Sequence, residues 1–177
     1  MPCGVYDSAA KAGGVRVGID DDTAQFSVNA IRRGRDIMGR ERYPNANRLM
    51  ITADGGGSHG SRVRLFKVEL QTLADETGMT LEVCHVPPGT SKWNKVEPRL
   101  LSHQPDLAGQ ALDQSSRRCR TDRGHDDTAG LKVCCQLDAR SYPKGITITD
   151  QEMARLNITG DTFHPEWNYT LALRAQI

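Results

Sequence analysis

Residues 48–85 read RLMITADGGGSHGSRVRLFKVELQTLADETGMTLEVCH, and this stretch decides the expected fold. The apolar run 49–53 ends in Asp54 and a glycine-rich loop, as expected for a buried strand that meets a loop. Apolar residues then recur at helical spacing over 63–77, and a second strand-like run follows at 80–84. Strand, helix and strand at these lengths predict a parallel crossover in an α/β domain.

The parallel crossover places the residues that follow its two strands at one edge of the sheet, where functional groups gather. Asp54 follows the first strand and His85 follows the second, so we expect both residues at that edge. The loop Gly55–Ser58 also lies between a strand and a helix, which is a position where phosphates bind. It matches neither GxGxxG nor GxxxxGK[ST], so a small nucleotide-binding α/β protein stays an alternative without a supporting motif.

Secondary structure outside this crossover is expected to alternate between strands and helices. Residues 1–20 hold two strand-like runs around the breaker-rich Lys11–Gly14, which predicts a hairpin. Asp21 and Asp22 offer caps for a helix that runs into an arginine-rich stretch. The elements expected after residue 128 are strands at 131–137 and 146–148 and a helix at 149–156 that begins with a Thr149–Glu152 capping box.

The segment 104–128 separates two better-defined parts of the chain. It holds few large apolar residues and no sustained period, so irregular structure is expected there. The chain is therefore expected to divide into a main part at 1–103, this irregular segment, and a C-terminal part at 129–177.

Composition and charge argue against several classes of protein. No apolar run approaches the roughly 20 residues that cross a bilayer, and no signal-peptide pattern begins the sequence, so we expect a cytoplasmic protein. The five cysteines lack CxxC spacing, which argues against a zinc site or a disulfide framework. A formal net charge of +1 offers no overall attraction to nucleic acid. The arginines concentrated at 32–48 could contact phosphates or form a solvated helix end.

Asp54 and Glu97 are the two carboxylates best placed for chemistry. Asp54 ends a strand, and Glu97 lies near the start of the helix expected after His85. Two carboxylates on adjacent elements can share divalent metal ions, and Mg²⁺ prefers carboxylate and phosphate oxygens. Such a site suits phosphodiester cleavage, although strand-end aspartates and helix-start glutamates also act as ordinary caps.

Four segments carry a resemblance to a known family. They are RLMITADGGGSHGSRVRLFKVELQTLADETGM (48–79), CHVPPGTSKWNKVEPRLLSH (84–103), LDARSYPKGITITDQEMARLNIT (137–159) and FHPEWNYTL (163–171). Within them, ITADGGGS and PPGTSKWNKVE are the specific motifs. On these residues the chain resembles insertion-sequence transposases of the DDE superfamily, which include a group named for Rhodopirellula.

The resemblance implies a ribonuclease H-like fold, a mixed sheet with flanking helices, in which three acidic residues bind two Mg²⁺ ions at a transposon end. Asp54 matches the second acidic residue and Glu97 matches the third. No segment of the sequence matches the motif of the first aspartate, so the resemblance implies a partial DDE core at 1–103 that is incomplete at its N-terminus. Asp7 and Asp20 lie near strand ends but are interpreted as turn or capping residues.

The resemblance also implies contacts with DNA and limits on activity. Lys92, Lys95 and His59 are the candidate DNA contacts, and a solvent-exposed helix face is the alternative for the two lysines. Pro98 stands where the family has histidine and is expected to displace Glu97, because proline restricts the residue before it. We therefore expect a transposase fragment that is inactive alone. The alternative is a non-catalytic remnant that binds DNA or associates with an intact transposase.

Overall fold

The computed structural model describes residues 2–19, 22–87, 89–90, 118–122 and 131–175. The strands are β1 (Pro2–Asp7), β2 (Ala12–Gly18), β3 (Arg48–Asp54), β4 (Thr80–Val86), β5 (Arg118–Asp122), β6 (Leu131–Asp138), β7 (Ile158–Gly160) and β8 (Asn168–Leu171). The helices are α1 (Ala24–Gly34), a π-helical segment (Arg35–Gly39), α2 (Arg40–Arg42), a 3-10 turn (Gly57–His59), α3 (Arg64–Thr77) and α4 (Asp150–Ala154). The mixed α/β class predicted from the sequence is confirmed.

The described strands form two four-stranded mixed sheets, with the orders β1-β2-β6-β5 and β3-β4-β8-β7. In the first sheet β2 and β6 are parallel, and the other pairs are antiparallel. In the second sheet β3 and β4 are parallel, and β8 pairs antiparallel with both β4 and β7. The sequence predicts one mixed sheet. The described strands divide instead, because β2 takes β6 as its parallel neighbour and β3 takes β4.

The crossover from β3 through α3 to β4 follows the predicted pattern. α3 buries Phe66, Leu70 and Leu73, whose side chains are at most 1% exposed. Gly78 ends the helix in the left-handed conformation at φ 67°, and its N–H donates to the carbonyl of Ala74 at 2.9 Å. The predicted strands, helix and glycine cap are therefore confirmed.

α1 begins with a cap that the sequence prediction placed too early. The Oγ1 atom of Thr23 accepts a hydrogen bond from the N–H of Phe26 at 3.2 Å, which satisfies a backbone donor of the first turn. Asp22 does not cap this helix, because its Oδ1 atom accepts from the hydroxyl of Ser58 at 2.7 Å. Asp21 lies outside the described residues.

The predicted hairpin is formed by β1 and β2, which pair antiparallel along their whole lengths. Asp7 Oδ1 accepts from the N–H groups of Ala9 and Ala10 at 3.0 and 2.9 Å, so Asp7 acts as the turn residue that the sequence predicts. The turn comes earlier than the predicted breakers. Gly13 and Gly14 lie within β2 instead.

Irregular structure is not found throughout the segment 104–128. Arg118–Asp122 forms β5, which pairs antiparallel with β6. The prediction is therefore wrong for these five residues, and the rest of the segment lies outside the described residues. The sequence pattern misses β5 because pairing with β6 supplies its backbone partners and does not require an apolar period.

The predicted strand at 146–148 is absent. The carbonyl of Ile148 accepts a hydrogen bond from Arg64 Nη1 at 3.1 Å, so a side chain takes the place of a neighbouring strand. The capping box that follows is confirmed. The N–H of Glu152 donates to Thr149 Oγ1 at 3.2 Å, and the N–H of Thr149 donates to Glu152 Oε2 at 2.8 Å.

Backbone contacts divide the chain into two compact units, and each draws on separate segments of the sequence. Unit 1 contains Met1–Asp21, Asn29–Arg42 and Lys95–Tyr142, and unit 2 contains Asp22–Val28, Tyr43–Asn94 and Pro143–Ile177. In unit 2, Leu81, Val83, Tyr169 and Leu171 from β4 and β8 are buried together with the apolar face of α3. In unit 1 an added Cβ on Gly34 would lie 3.0 Å from Val5 Cγ1, so the glycine allows close packing there. The predicted boundaries near 103 and 128 stay a prediction.

Helices long and apolar enough to cross a bilayer do not occur in the part of the chain that the structure describes.

Candidate active site at the carboxyl end of β3

Asp54 is the last residue of β3, and the parallel register places it beside the end of β4. Ala53 pairs with His85 and Asp54 pairs with Val86, so Asp54 and His85 share one edge of the sheet as predicted. The Asp54 side chain is half-buried. β4 extends through Val86, so His85 is a strand residue, and its side chain is only 4% exposed.

His85 connects the main chain of Asp54 to Tyr169. Its Nδ1 atom lies 3.2 Å from the carbonyl oxygen of Asp54, and its Nε2 atom lies 3.1 Å from the hydroxyl of Tyr169. Because a carbonyl oxygen only accepts, we assign the proton to Nδ1, and Nε2 of the neutral ring accepts from the tyrosine hydroxyl. Burial lowers the pKa of His85 and raises the pKa of Tyr169, which favours the neutral form of both groups. A buried neutral histidine therefore anchors the backbone at Asp54.

The glycine-rich loop after Asp54 is closed by hydrogen bonds to an acidic residue. The hydroxyl of Ser58 donates to Asp22 Oδ1 at 2.7 Å and lies 2.9 Å from the hydroxyl of Ser27. A Cβ on Gly57 would lie 3.6 Å from Asp22 Oδ2. The carboxylate of Asp22 would repel a phosphate at this position, which disfavours the nucleotide-binding interpretation of the loop.

The other residues predicted to form the site are only partly described. Glu97, Lys92, Lys95 and Pro98 lie outside the described residues, so their placement stays a prediction. The ring of His59 meets the ring of Phe66 edge-on, with centroids 6.4 Å apart, so this histidine packs on α3. Its predicted contact with DNA is untested.

Asp54 is the predicted metal ligand that lies within the described residues. Within the described ranges, no group of three or more His, Cys, Asp and Glu side chains is arranged to hold a metal ion. Mg²⁺ is usually bound by one or two carboxylates and completes its octahedral shell with waters and substrate phosphate oxygens. A half-buried carboxylate at the edge of a sheet fits that pattern as a single ligand.

Asp138 ends β6 and, like Asp54, closes a strand that has a parallel neighbour. Its Oδ2 atom accepts from Arg16 Nη2 at 2.9 Å, Asn29 Nδ2 at 3.1 Å and the hydroxyl of Tyr142 at 2.8 Å. Arg140 donates from Nε to Oδ1 and from Nη2 to Oδ2, both at 2.9 Å. Burial alone would raise the pKa of Asp138, but these hydrogen bonds and the charge of Arg16 lower it far below its usual value. Two arginines neutralise this carboxylate, so its role is structural.

Sequence reasoning placed Asp54 and His85 correctly but did not identify their partners. Tyr169 lies 84 positions from His85, and Arg16 lies 122 positions from Asp138. The only local signal for the role of His85 is its place at the end of a strand beside Asp54. The pairing of β8 with β4 brings Tyr169 to it, and no spacing in the sequence reports that pairing.

Fold and site together define a mixed α/β domain with an acidic residue at the carboxyl edge of a parallel strand pair. The family described as Rhodopirellula transposase DDE domain matches residues 1–173. The chain therefore belongs to this family of DDE transposase domains, which confirms the resemblance predicted from the sequence. No curated protein and no solved structure matches the chain.

Proposed function

We propose that Asp54 is a metal-binding carboxylate of a DDE active site, in which it acts with Glu97 on DNA at a transposon end. The observation that supports this proposal is the parallel register of β3 and β4, which sets Asp54 at the carboxyl edge of the sheet. Glu97 follows the end of β4 in the sequence. The proposal includes a ribonuclease H-like arrangement of the catalytic core.

In this site the residues of the chain position the metal ligands and the DNA. His85 fixes the main chain of Asp54 through its Nδ1 proton, and Tyr169 fixes the histidine ring. Small displacements of a reacting group cost large factors in rate, so this anchoring favours catalysis. Bound Mg²⁺ would supply the charge that activates a nucleophile and stabilises a leaving oxygen.

We further propose that the chain does not join DNA strands by itself. Asp54 and Glu97 are two carboxylates in a family that uses three, and no segment of the printed sequence resembles the first-aspartate motif. Two metal ions carry four positive charges, and two carboxylates offset fewer of these charges and offer fewer ligands to fix the metal spacing. An intact transposase that supplies the missing carboxylate is the expected partner.

The experiment combines Mn²⁺ binding with a strand-transfer assay on matched transposon ends. We expect weak Mn²⁺ binding that Asp54→Asn removes and Asp36→Asn leaves unchanged, because Asp36 is an exposed acid paired with Arg35. We expect no joined product from the chain in Mg²⁺ or Mn²⁺. Equal Mn²⁺ binding by Asp54→Asn and the parent chain would overturn the site assignment.

The strand-transfer assay, together with a measurement of DNA binding, also distinguishes a transposase fragment from a non-catalytic remnant. Joined product that Asp54→Asn abolishes would overturn the proposed inactivity and show that another residue or subunit completes the site. DNA binding without metal binding would favour a non-catalytic remnant that binds DNA or associates with an intact transposase.

A further inference from the structure

A groove in unit 2 combines cations with an aromatic wall. It encloses about 500 Å³, and the residues that line it include Arg62, Arg64, Lys67, Met153, Glu166 and Trp167. We call it the basic groove. The sequence patterns assign none of these residues a function.

The basic groove lies at the same edge of the second sheet as Asp54. α3, which carries Lys67, follows the loop that leaves Asp54. Trp167 reaches this edge from the other side, because its carbonyl accepts from the N–H of His85 at 3.0 Å. Lys67 Nζ lies 5.0 Å from the ring centre of Tyr169, whose hydroxyl bonds to His85. A chain of contacts thus runs from the groove to the backbone of Asp54.

One cation of the basic groove already has an acidic neighbour. Arg64 Nη1 lies 2.7 Å from Asp150 Oδ1. Glu166 Oε1, the acidic atom of the groove, lies 2.9 Å from His164 Nδ1. The groove therefore keeps the carboxylate of Glu166 and two further cations, which lie on either side of Arg64 in the sequence.

Those cations are Arg62 and Lys67, and neither meets a carboxylate within the part of the chain described. Arg62 is exposed, and its guanidinium can form two parallel hydrogen bonds to a phosphate. Lys67 is half-buried, and burial lowers its pKa because the ammonium group loses hydration. A phosphate oxygen beside Lys67 would offset that loss with a charge-assisted hydrogen bond.

Trp167 adds a wall whose position is fixed. Its ring stacks on the ring of His164, with centroids 4.9 Å apart and planes inclined by 22°. Cations next to an aromatic face are typical of surfaces that hold a nucleic-acid strand, because phosphates meet the charges and the flat ring contacts sugar or base.

We propose that the basic groove binds the phosphate backbone of the DNA strand that passes Asp54, with Arg62 and Lys67 as the phosphate contacts. The identity of the ligand as DNA rests on the proposed function. Arg62 and Lys67 are not among the DNA contacts predicted from the sequence, which are His59, Lys92 and Lys95.

The test measures binding of a fluorescent DNA duplex by anisotropy across a salt series, in EDTA so that no metal contributes. The Arg62→Gln/Lys67→Gln variant should bind at least tenfold more weakly at low salt. The slope of log affinity against log salt should fall by about two, since each lost phosphate contact lowers it by about 0.9. Lys11→Gln/Lys144→Gln removes the same charge from exposed positions that do not line the groove and should lower the slope by much less.

Two single variants keep the outcome decisive if the double variant folds poorly. Arg62→Gln changes only an exposed side chain and should lower the slope by about one. Lys67→Arg retains the charge and should bind nearly as well as the parent chain. Equal losses of DNA affinity in the Arg62/Lys67 and Lys11/Lys144 variants, or no loss in the Arg62/Lys67 variant, would overturn the proposed role of the groove.

The same assay separates this inference from the proposed function. Asp54→Asn should bind DNA as well as the parent chain in EDTA, because metal plays no part there. Loss of Mn²⁺ binding in Asp54→Asn with an unchanged salt slope in Arg62→Gln would support the active site and reject the groove. Unchanged Mn²⁺ binding in Asp54→Asn with a lower salt slope in Arg62→Gln would support the groove and reject the active site.

Discussion

Asp54 and Asp138 both end strands that have a parallel neighbour, yet their surroundings differ. The carboxylate of Asp138 forms ion pairs with Arg16 and Arg140, which neutralise it within a network of hydrogen bonds. At Asp54 the hydrogen bond from His85 reaches the main-chain carbonyl, and the histidine is neutral. A strand-end position therefore does not identify a catalytic carboxylate by itself. The hydrogen bonds and ion pairs described at Asp138 end on its carboxylate, whereas the hydrogen bond from His85 ends on the main chain of Asp54.

The largest expected effect follows from replacing each aspartate by asparagine. Asp138→Asn leaves Arg16, whose side chain is 10% exposed, without its buried counter-charge. Among the described residues, Arg16 Nε and Nη1 meet no hydrogen-bond acceptor, so the loss is not compensated. We expect a loss of about 3–5 kcal/mol in the free energy of unfolding. Asp54→Asn should cost less, because the hydrogen bond from His85 ends on the main-chain carbonyl and survives the substitution.

Urea unfolding followed by circular dichroism measures both variants under the same conditions. Equal losses of stability in the two variants would contradict the contrast between a structural and a functional aspartate.

Acid should weaken the Asp138 network in a defined pH range. The pKa of Asp138 in the folded chain lies below its ordinary value of 3.8, so the unfolded chain binds the proton first as pH falls. The stabilisation is therefore complete above about pH 5 and declines as pH drops through 4 and below. Asp138→Asn should remove this part of the acid dependence. The free energy of unfolding, measured between pH 5 and 3, tests this prediction. If it falls equally in Asp138→Asn and in the parent chain, the prediction is wrong.

The loop after Asp54 should depend on close backbone packing. A Cβ on Gly60 would lie 2.9 Å from the carbonyl oxygen of Gly55, whereas a Cβ on Gly56 would meet nothing within 4 Å. Gly60→Ala should therefore cost about 1–3 kcal/mol of stability, and Gly56→Ala should be nearly neutral. Thermal unfolding of the pair measures the difference. A neutral Gly60→Ala would show that the loop relaxes freely.

The smallest expected effect compares the two tyrosine hydroxyls. Tyr142 donates to the charged Asp138, and Tyr169 donates to the neutral His85. Hydrogen bonds to charged groups contribute about 1.5–3 kcal/mol, and neutral ones about 0.5–1.5 kcal/mol. Tyr142→Phe should therefore destabilise the chain by about 1 kcal/mol more than Tyr169→Phe in urea unfolding. A larger loss of stability in Tyr169→Phe than in Tyr142→Phe would contradict this prediction and show that the hydrogen bond to His85 is the stronger one.

Local features of the fold were predictable from the sequence, whereas several pairings were not. The cap at Gly78 and the Thr149–Glu152 box follow from contacts between residues a few positions apart, and both are confirmed. The cap of α1 was assigned to the wrong residue, because Ser58 takes the Asp22 carboxylate away from the helix. The strand predicted at 146–148 failed for a similar reason, since a distant side chain bonds to its backbone.

The sequence by itself determined the β3-α3-β4 crossover, the place of Asp54 at its edge and membership of the transposase family, because periodicity, caps and motifs are local. Only the tertiary structure decided that β2 pairs with β6, that Arg16 meets Asp138, and that Tyr169 holds the His85 ring. These contacts join residues far apart in the chain. The pairing of strands depends on the packing of the whole sheet, so the propensities of short segments do not predict it.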